Sequence, residues 1–479
     1  MQKKLFFSKV LQMSATMILF NISSICYGIF ISSGSGADAI GIFHLIMSVH
    51  SFGVCISISG MSITATRLIS DMPQRKSVLQ CDDIIKKCMR IALITSSVAS
   101  AIMFCFADGI AIKILKKPEC GFCLKLLAPT LICTAMSAVM NGYFTAYAKI
   151  GSIFAGKLTG EAVGWCCTIM MFKSFDKDNL YVAVVIATAL SAISESIVNI
   201  ICCKISRFRS VKQKSDCSYR QILSVATPLA LGSYLKTGLV SCENLLVPIC
   251  LSYTLAGEAL GQYGTLKGMS IQILTFPYVF IGAFTSLIIP EIAGRYSIGH
   301  KNSIKYISEL SIDSIIKLAV FVWTVFMFAG SRICTIFFES SDAGKYLTYL
   351  SFLPMFMYID TVTDAILKGL NKQLYALKIN IADSFMRIML IFMLVPRLGI
   401  EGYILIMYIS EIINFAASYF KLKKMTNLKI SLSYSIIYPI VCSIICVWIL
   451  KLIPTNNVFA EILIFAAMYF LATTAVKRK

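Results

Sequence analysis

Charge, histidine and tryptophan are scarce in this sequence, and no stretch is left over for a water-soluble domain. Only 14% of its 479 residues are Asp, Glu, Lys or Arg, against about 25% in a soluble domain. With 57% hydrophobic residues and a mean hydropathy of +0.79, a soluble fold is excluded, because it has no interior large enough for that apolar surface. The sequence has three histidines, and no joint metal site is expected of the two in one span. His44 and His50 are six residues apart and so point to different faces of one helix. There is no Gly-x-x-x-x-Gly-Lys-Ser/Thr loop, so direct coupling to a nucleotide is not supported. Nor is any extramembrane loop long enough to hold the clustered acids of a membrane glycosyltransferase or polymerase, and no enzyme activity and no cofactor are expected. The 18 cysteines are scattered through apolar segments, where a thiol acts as a small apolar side chain. They form no disulfide framework. Cys120 and Cys123 read as a lone Cys-x-x-Cys in an external loop, without the second pair a metal site would need.

What is present in quantity is apolar sequence in blocks of about 18 to 25 residues, each the length of a membrane-spanning helix. Spans are expected near 9–31, 41–64, 89–110, 124–145, 151–172, 181–203, 221–249, 263–289, 311–333, 346–368, 375–395, 402–420, 431–450 and 457–475. The fold class is therefore an all-α integral membrane protein of about 14 transmembrane helices. The first span follows Lys3, Lys4 and Lys9 but is too long for a signal peptide and lacks its cleavage pattern, so it reads as a retained helix. The net charge of +20 is not one patch. About 30 of the 44 Lys and Arg fall at the termini and in every second loop, about 10 in the others, which places both termini in the cytoplasm. The strongest clusters, Arg67 to Arg90, Lys204 to Arg220 and Lys421 to Lys429, suit anionic lipid headgroups and not a nucleic acid. Lys113, Lys116, Lys117 and Lys125 dissent, on the external side.

The chain roughly repeats itself after about 220 residues. Gly41-Ile42-Phe43 corresponds to Gly261-Gln262-Tyr263, and Leu68-Ile69-Ser70-Asp71 to Ile288-Ile289-Pro290-Glu291. A span with Pro129 that ends in Gly142 matches one with Pro354 that ends in Gly369; Ser194-Glu195 with Asn199 matches Ser410-Glu411 with Asn414. Four pairs in one order are hard to obtain by chance. Each half holds an even number of helices, so the repeats run parallel. The expected organisation is a six-helix lobe over 1–210, a second over 211–428, and two accessory helices over 429–479.

Several segments carry a family resemblance. GIFHLIMSVHSFGVCISISGMSITATRLISD (Gly41 to Asp71), NGYFTAYAK (Asn141 to Lys149), ENLLVPICL (Glu243 to Leu251) and YGTLKGMSIQILTFP (Tyr263 to Pro277) resemble the stage V sporulation protein B family. That family lies within the multidrug/oligosaccharidyl-lipid/polysaccharide exporter superfamily. Tyr358 to Asn414, with YIDTVTDAILKGLNKQ and YISEIIN, resembles its polysaccharide-biosynthesis C-terminal region. The resemblance implies a flippase-like fold in a bacterial cell membrane. It also implies a polyprenyl-diphosphate-linked saccharide or peptidoglycan precursor moved from the inner to the outer leaflet, with glycosyltransferases or wall-synthesis enzymes as partners. Related flippases carry an Arg-containing motif in the first helix. Here Asn21-Ile22-Ser23-Ser24-Ile25-Cys26-Tyr27-Gly28 holds no cation, so no phosphate ligand is carried over to it. The architecture alone also allows a cation-coupled multidrug exporter of the same superfamily.

A charge inside a span costs at least about 2.5 kcal/mol and so faces a cavity or a partner. Lys236 and Glu243 lie seven apart on one helical face, with Lys267 in the next span. The two cations could receive a diphosphate; equally, Lys236 and Glu243 could only stabilise each other. Asp360, Asp364 and Lys368 step along one helix, and Asp383 and Arg387 along the next, as ion-pair ladders do. Arg387 is a further candidate for substrate. Asp360 and Asp364 share one nearby cation, so one of them is a candidate for a coupling proton or sodium ion. Glu161, Glu195 and Glu411 are single carboxylates in spans. For Glu195 and Glu411 the choice lies between ion coupling and helix packing through Asn199 and Asn414, one turn away. The driving force is left to ion gradients, the membrane potential or downstream consumption of the substrate.

Overall fold

The computed structural model describes residues 2–70, 77–147, 149–172, 174–207, 218–254, 257–429, 433–452 and 457–475. Asp71, Arg75 and Lys76 of the first basic cluster, 208–217 of the second, Ser431 and Leu432, and the C-terminal Lys477, Arg478 and Lys479 lie outside them, as do the side chains of Lys3, Lys4 and Lys9. Among the described residues the regular structure is helical throughout. That is what hydrocarbon demands of a spanning chain, since a helix satisfies its backbone internally.

The chain forms two compact units, Met1–Tyr27 with Gly34–Ile249, and Gly28–Ser33 with Cys250–Lys479. In the first lie α1 (Gln2–Gly34, shared at its C-terminal end with the second unit), α2 (Ala37–Ile58), α3 (Met61–Ser70), α4 (Ser77–Lys113), α5 (Cys120–Leu127), α6 (Thr130–Ala146), α7 (Ile150–Met171), α8 (Leu180–Arg207) and α9 (Tyr219–Leu251). The second holds α10 (Ala259–Gly264), a π-helical turn (Thr265–Ser270), α11 (Ile271–Thr275), α12 (Tyr278–Ser297), α13 (Lys301–Phe338), α14 (Ser341–Leu350), α15 (Leu353–Gly369) and α16 (Gln373–Thr426). It ends with α17 (Tyr438–Leu450) and α18 (Val458–Ala475).

Eight helices among the described residues are long and apolar enough to cross a membrane, or up to nine if the bent pair Ser341–Leu350 and Leu353–Gly369 is one span. Outside that set fall α7, which carries Lys157 and Glu161, and α9, which carries Lys236 and Glu243. The apolar segments Ile18–Gly34 and Val458–Thr474 are shorter. Helix α16 runs for 54 residues, about 81 Å at 1.5 Å per residue, far more than the roughly 30 Å of a bilayer core. It is broken at Gly399, where φ 62° and ψ −139° admit only glycine.

Small residues set the packing within the first unit. Gly156, Gly160, Gly164 and Thr168 recur every fourth residue of α7, all are buried, and they form the seam against α8. A Cβ on Gly156 would lie 2.3 Å from Asn199 Oδ1, and one on Gly160 would lie 3.2 Å from Glu195 Cβ. Helix α9 is fastened to α2 and its C-terminal turn. Tyr234 and Ser59 share a 2.6 Å hydroxyl contact, Ser241 Oγ donates to Ser48 O at 3.0 Å, and Phe52 covers Gly238. The Cys-x-x-Cys pair, expected in a loop, instead opens α5, where both thiols are buried. Its spacing of three fits one helical face, and the short helix hides it from water.

Both units contain the same local device. A short helix (α5 or α14) is followed by a break and by a second helix entered at a proline, Pro129 or Pro354. That second helix carries a glycine against an earlier helix. A Cβ on Gly142 would lie 2.4 Å from the Ser62 carbonyl oxygen, and one on Gly369 would lie 3.0 Å from the Ile289 carbonyl oxygen. These are the glycines paired in the sequence repeat.

In the second unit α13 anchors the terminal hairpin. Phe321 stacks on Phe465 at 5.6 Å, Arg332 makes a bidentate pair with Glu461 at 3.0 and 2.5 Å, and Tyr469 donates to the Lys317 carbonyl at 2.8 Å. Lys317 also sits 3.3 Å from Asp313 and 4.7 Å above the Tyr434 ring.

Gly142→Ala should therefore destabilise the protein by about 1–3 kcal/mol, since a carbonyl on a packed helix cannot step aside. Gly109→Ala, with nothing within 4 Å, should not. Thermal unfolding of both variants in detergent checks this, and equal midpoints would contradict it.

Candidate functional site

Polar side chains gather inside each unit, and the larger gathering is in the second, where α12, α15 and α16 meet. Helix α15 carries Asp360 and Asp364 one turn apart, and the two arms of α16 bring Asp383, Arg387, Ser410, Glu411, Asn414 and Ser418. Ser418 Oγ donates to Asp364 Oδ1 at 3.0 Å, and Ser410 Oγ donates to the buried Asp383 Oδ1 at 2.6 Å. Asp360 lies within electrostatic reach of Asp364, Asp383 and Lys368, and Glu411 within reach of Asp360, Asp383 and Arg387. Tyr278 of α12 closes one side, its hydroxyl 3.1 Å from Thr361 Oγ1 and its ring 6.3 Å from Tyr358. Asp360 Oδ1, Asn414 Oδ1 and the Tyr358 hydroxyl are buried and make no hydrogen bond among the described residues.

Four carboxylates therefore share two cations, Lys368 and Arg387, and Lys368 is exposed. On α16, Asp383 accepts a hydrogen bond from Ser410, across the Gly399 break, and Arg387 lies within electrostatic reach of Glu411. Three helices thus converge on one polar centre. No three of its acids converge as metal ligands among the described residues.

Lys267 sits on the π-helical turn, 5.9 Å above the buried Tyr403 ring. π-turns often mark functional positions. The α1 segment Gly28–Ser33 packs there: Ser32 Oγ donates to Gly268 O at 2.7 Å, and Gly28 leaves room for Gln272. Lys236 and Glu243 are on α9, in the first unit, Lys236 exposed and Glu243 only 3% exposed.

Glu195 departs from expectation. It accepts from Asn141 Nδ2 of α6, at 3.5 Å, and not from Asn199. Asn199 is fully buried with neither amide atom hydrogen-bonded among the described residues. One turn separates 195 from 199 on the helix, but Asn199 lies over Gly156, where the missing Cβ admits it, while Glu195 lies one seam position along at Gly160. His50 Nε2 is 3.0 Å from Thr130 Oγ1 in a buried pair.

Sequence reasoning passed over the polar group of the first unit. Ser23 of α1 donates to Glu161 Oε2 of α7, Trp165 Nε1 donates to Ser23 Oγ at 3.3 Å, and the Tyr27 hydroxyl lies 2.6 Å from Thr168 Oγ1. Tyr27 and Trp165 meet edge to face at 5.2 Å. They border a cavity of about 150 Å³ with Ser24, Glu161, Gly164, Thr188 and Ser191. The signal was Glu161 itself, an intramembrane acid four residues before a tryptophan, one of three in the chain.

Comparison with known proteins follows this geometry. A family model described as polysaccharide biosynthesis protein matches residues 36–293. Stage V sporulation protein B of Bacillus subtilis (strain 168) is 19% identical over 391 residues, 77% of this chain and 74% of that protein. Sporulation protein YkvU of the same organism is 24% identical over 237 residues, 47% of this chain and 52% of that protein. Among solved structures, the lipid II flippase MurJ in an inward closed conformation superposes with a TM-score of 0.73 at 14% identity, covering 96% of this chain and 98% of that one. An inward-facing multidrug resistance MATE family transporter of the MOP superfamily gives 0.69 at 14% identity, covering 87% and 99%. The fold is the one these transporters share, and the chain is a multi-pass membrane protein.

Asp383→Ala should lower the unfolding midpoint by an amount equivalent to about 1–3 kcal/mol, because it strands the Ser410 hydroxyl. Asp360→Asn, which keeps the shape and removes one of four like charges, should leave the midpoint unchanged or higher. Thermal unfolding at neutral pH decides, and a larger loss in Asp360→Asn would contradict this picture of the cluster.

Proposed function

We propose, from the premise that the chain belongs to the polysaccharide biosynthesis protein family, that it is a flippase for a polyprenyl-diphosphate-linked saccharide or peptidoglycan precursor. The lipid moves from the inner to the outer leaflet of a bacterial cell membrane by alternating access, the mechanism open to a chain of two parallel repeats. The observation that carries this reading is the fold match to a lipid II flippase over nearly the whole chain, joined to a family concerned with polysaccharide synthesis. The family and the structural neighbours are transporters and not enzymes.

On this reading the chain makes fourteen crossings with both termini cytoplasmic. α16 supplies two of them, parted at Gly399, and α7 and α9 cross despite their internal charges. The six-plus-six-plus-two division, with the lobes at 1–210 and 211–428 and the accessory helices at 429–479, belongs to the same proposal. Lys236, Lys267 and Arg387 are the cations offered to the diphosphate, with Glu243 beside Lys236 on α9. Asp360, Asp364 and Glu411, with Glu195 in the first unit, are the acids offered to a coupling proton or sodium ion. No nucleotide and no cofactor takes part. The membrane potential also contributes, since each negative charge moved outward from an inside-negative cell releases about 2.3 kcal/mol per 100 mV. Basic loops meet anionic headgroups, and glycosyltransferases or wall-synthesis enzymes deliver or consume the substrate. The MATE likeness supports one other reading, a cation-coupled multidrug exporter.

In proteoliposomes, the Lys236→Ala, Lys267→Ala double variant should flip a diphosphate-linked lipid more slowly than wild type while remaining folded, and Asp360→Asn or Asp364→Asn should shift the pH or sodium profile. Full-rate flipping by the double variant removes the lysines from the mechanism. Unchanged profiles in both aspartate variants remove the coupling role.

A further inference from the structure

The cavity of the first unit is not used by the diphosphate or by the coupling acids. Its walls come from α1, α7 and α8, all within that unit. At about 150 Å³ it exceeds by about tenfold the 10–15 Å³ that one water needs. That is too large for a proton or a bare ion and suited to a single organic ring. One wall is aromatic, Trp165 with Tyr27 edge-on behind it. The rest presents hydroxyls and one carboxylate: Ser24, Thr188, Ser191 and Glu161. The Ser24 and Ser191 hydroxyls make no hydrogen bond among the described residues.

The aromatic wall is held in place before any ligand arrives. Trp165 Nε1 donates to Ser23 Oγ, Ser23 donates to Glu161, and Tyr27 is fixed by Thr168. Such preorganisation lowers the ordering cost of binding. An apolar ring face opposite polar groups that can both accept and donate is the complement of a pyranose: its C–H face lies on the indole, and its hydroxyls meet Glu161, Ser24 and Ser191. An organic cation would use the carboxylate and the rings but not the hydroxyls.

The geometry points to this cavity as a subsite for one pyranose ring of the lipid-linked substrate. It rests on the flippase reading and gives that reading its sugar-recognising residues: Trp165 as the stacking platform, Glu161, Ser24 and Ser191 as hydroxyl partners, and Ser23, Tyr27 and Thr168 as positioning residues.

The test compares flipping of a polyprenyl diphosphate bearing one N-acetylhexosamine with flipping of the bare polyprenyl diphosphate, in proteoliposomes of the full chain. The readout is the ratio of the two rates. Wild type should favour the sugar-bearing lipid. Trp165→Ala should lower the ratio about tenfold, and so should the milder Ser24→Ala, Ser191→Ala double variant if the tryptophan variant fails to fold. Trp165→Phe should restore part of it. A ratio unchanged in folded variants overturns the subsite while the flippase reading stands. Wild-type failure to flip either lipid overturns both. Loss of tetraphenylphosphonium binding in the variants, with the sugar preference intact, reassigns the cavity to a cation and overturns the proposal.

Discussion

A polar group left bare in hydrocarbon costs several kcal/mol, because no water is there to bond it. Almost every structural choice in this chain answers that constraint. The backbone is coiled into helices. Serine and threonine hydroxyls within them turn back onto the carbonyl four residues earlier, as Ser48 does to His44, Ser57 to Gly53 and Thr188 to Val184. Charges that cannot be avoided are grouped: Arg332 with Glu461, Asp313 with Lys317, and the acids of α15 and α16 with Arg387. Since lipid offers no hydrophobic drive between helices, close backbone approach takes its place, and the glycines of α7, with Gly142 and Gly369, permit it.

The same constraint gathers polar side chains inside each unit. The two polar gatherings differ in kind. In the second unit four carboxylates lie within electrostatic reach of one another and of two cations, Lys368 and Arg387. In the first, a single carboxylate is held by a serine and flanked by aromatic rings beside an open cavity. The helices that carry Glu161 and Asp383 stand about 220 residues apart, the period of the repeat. Each acid accepts a hydrogen bond from a serine, Ser23 in one unit and Ser410 in the other.

Much of this was legible in the sequence, because apolar length and the constraint of lipid are one-dimensional. The helical class, the apolar blocks and the family resemblance needed no coordinates, and the resemblance agrees with the family match. The paired Pro129 and Pro354, and Gly142 and Gly369, mark recurring breaks and close approaches that the structure contains. Side-chain partners were less legible. Helical spacing pointed Glu195 to Asn199, yet the glycine seam of α7 turned them apart and gave Glu195 to Asn141. Spacing gave no sign of Ser410 as a partner of Asp383, since the two are brought together only across the break at Gly399. The Tyr27 and Trp165 pair was invisible, since its two rings come from helices well separated in sequence and meet only by packing.

The central claim is that the chain translocates a lipid-linked saccharide. Reconstitution of the purified protein in liposomes that hold a polyprenyl-diphosphate disaccharide tests it most directly, with exposure of the sugar measured by a membrane-impermeant lectin. Protein-dependent exposure on the far leaflet, faster when the potential is negative on the starting side, is the predicted result. No exposure of that lipid at either polarity, together with ion-driven movement of an organic cation by the same preparation, would contradict it.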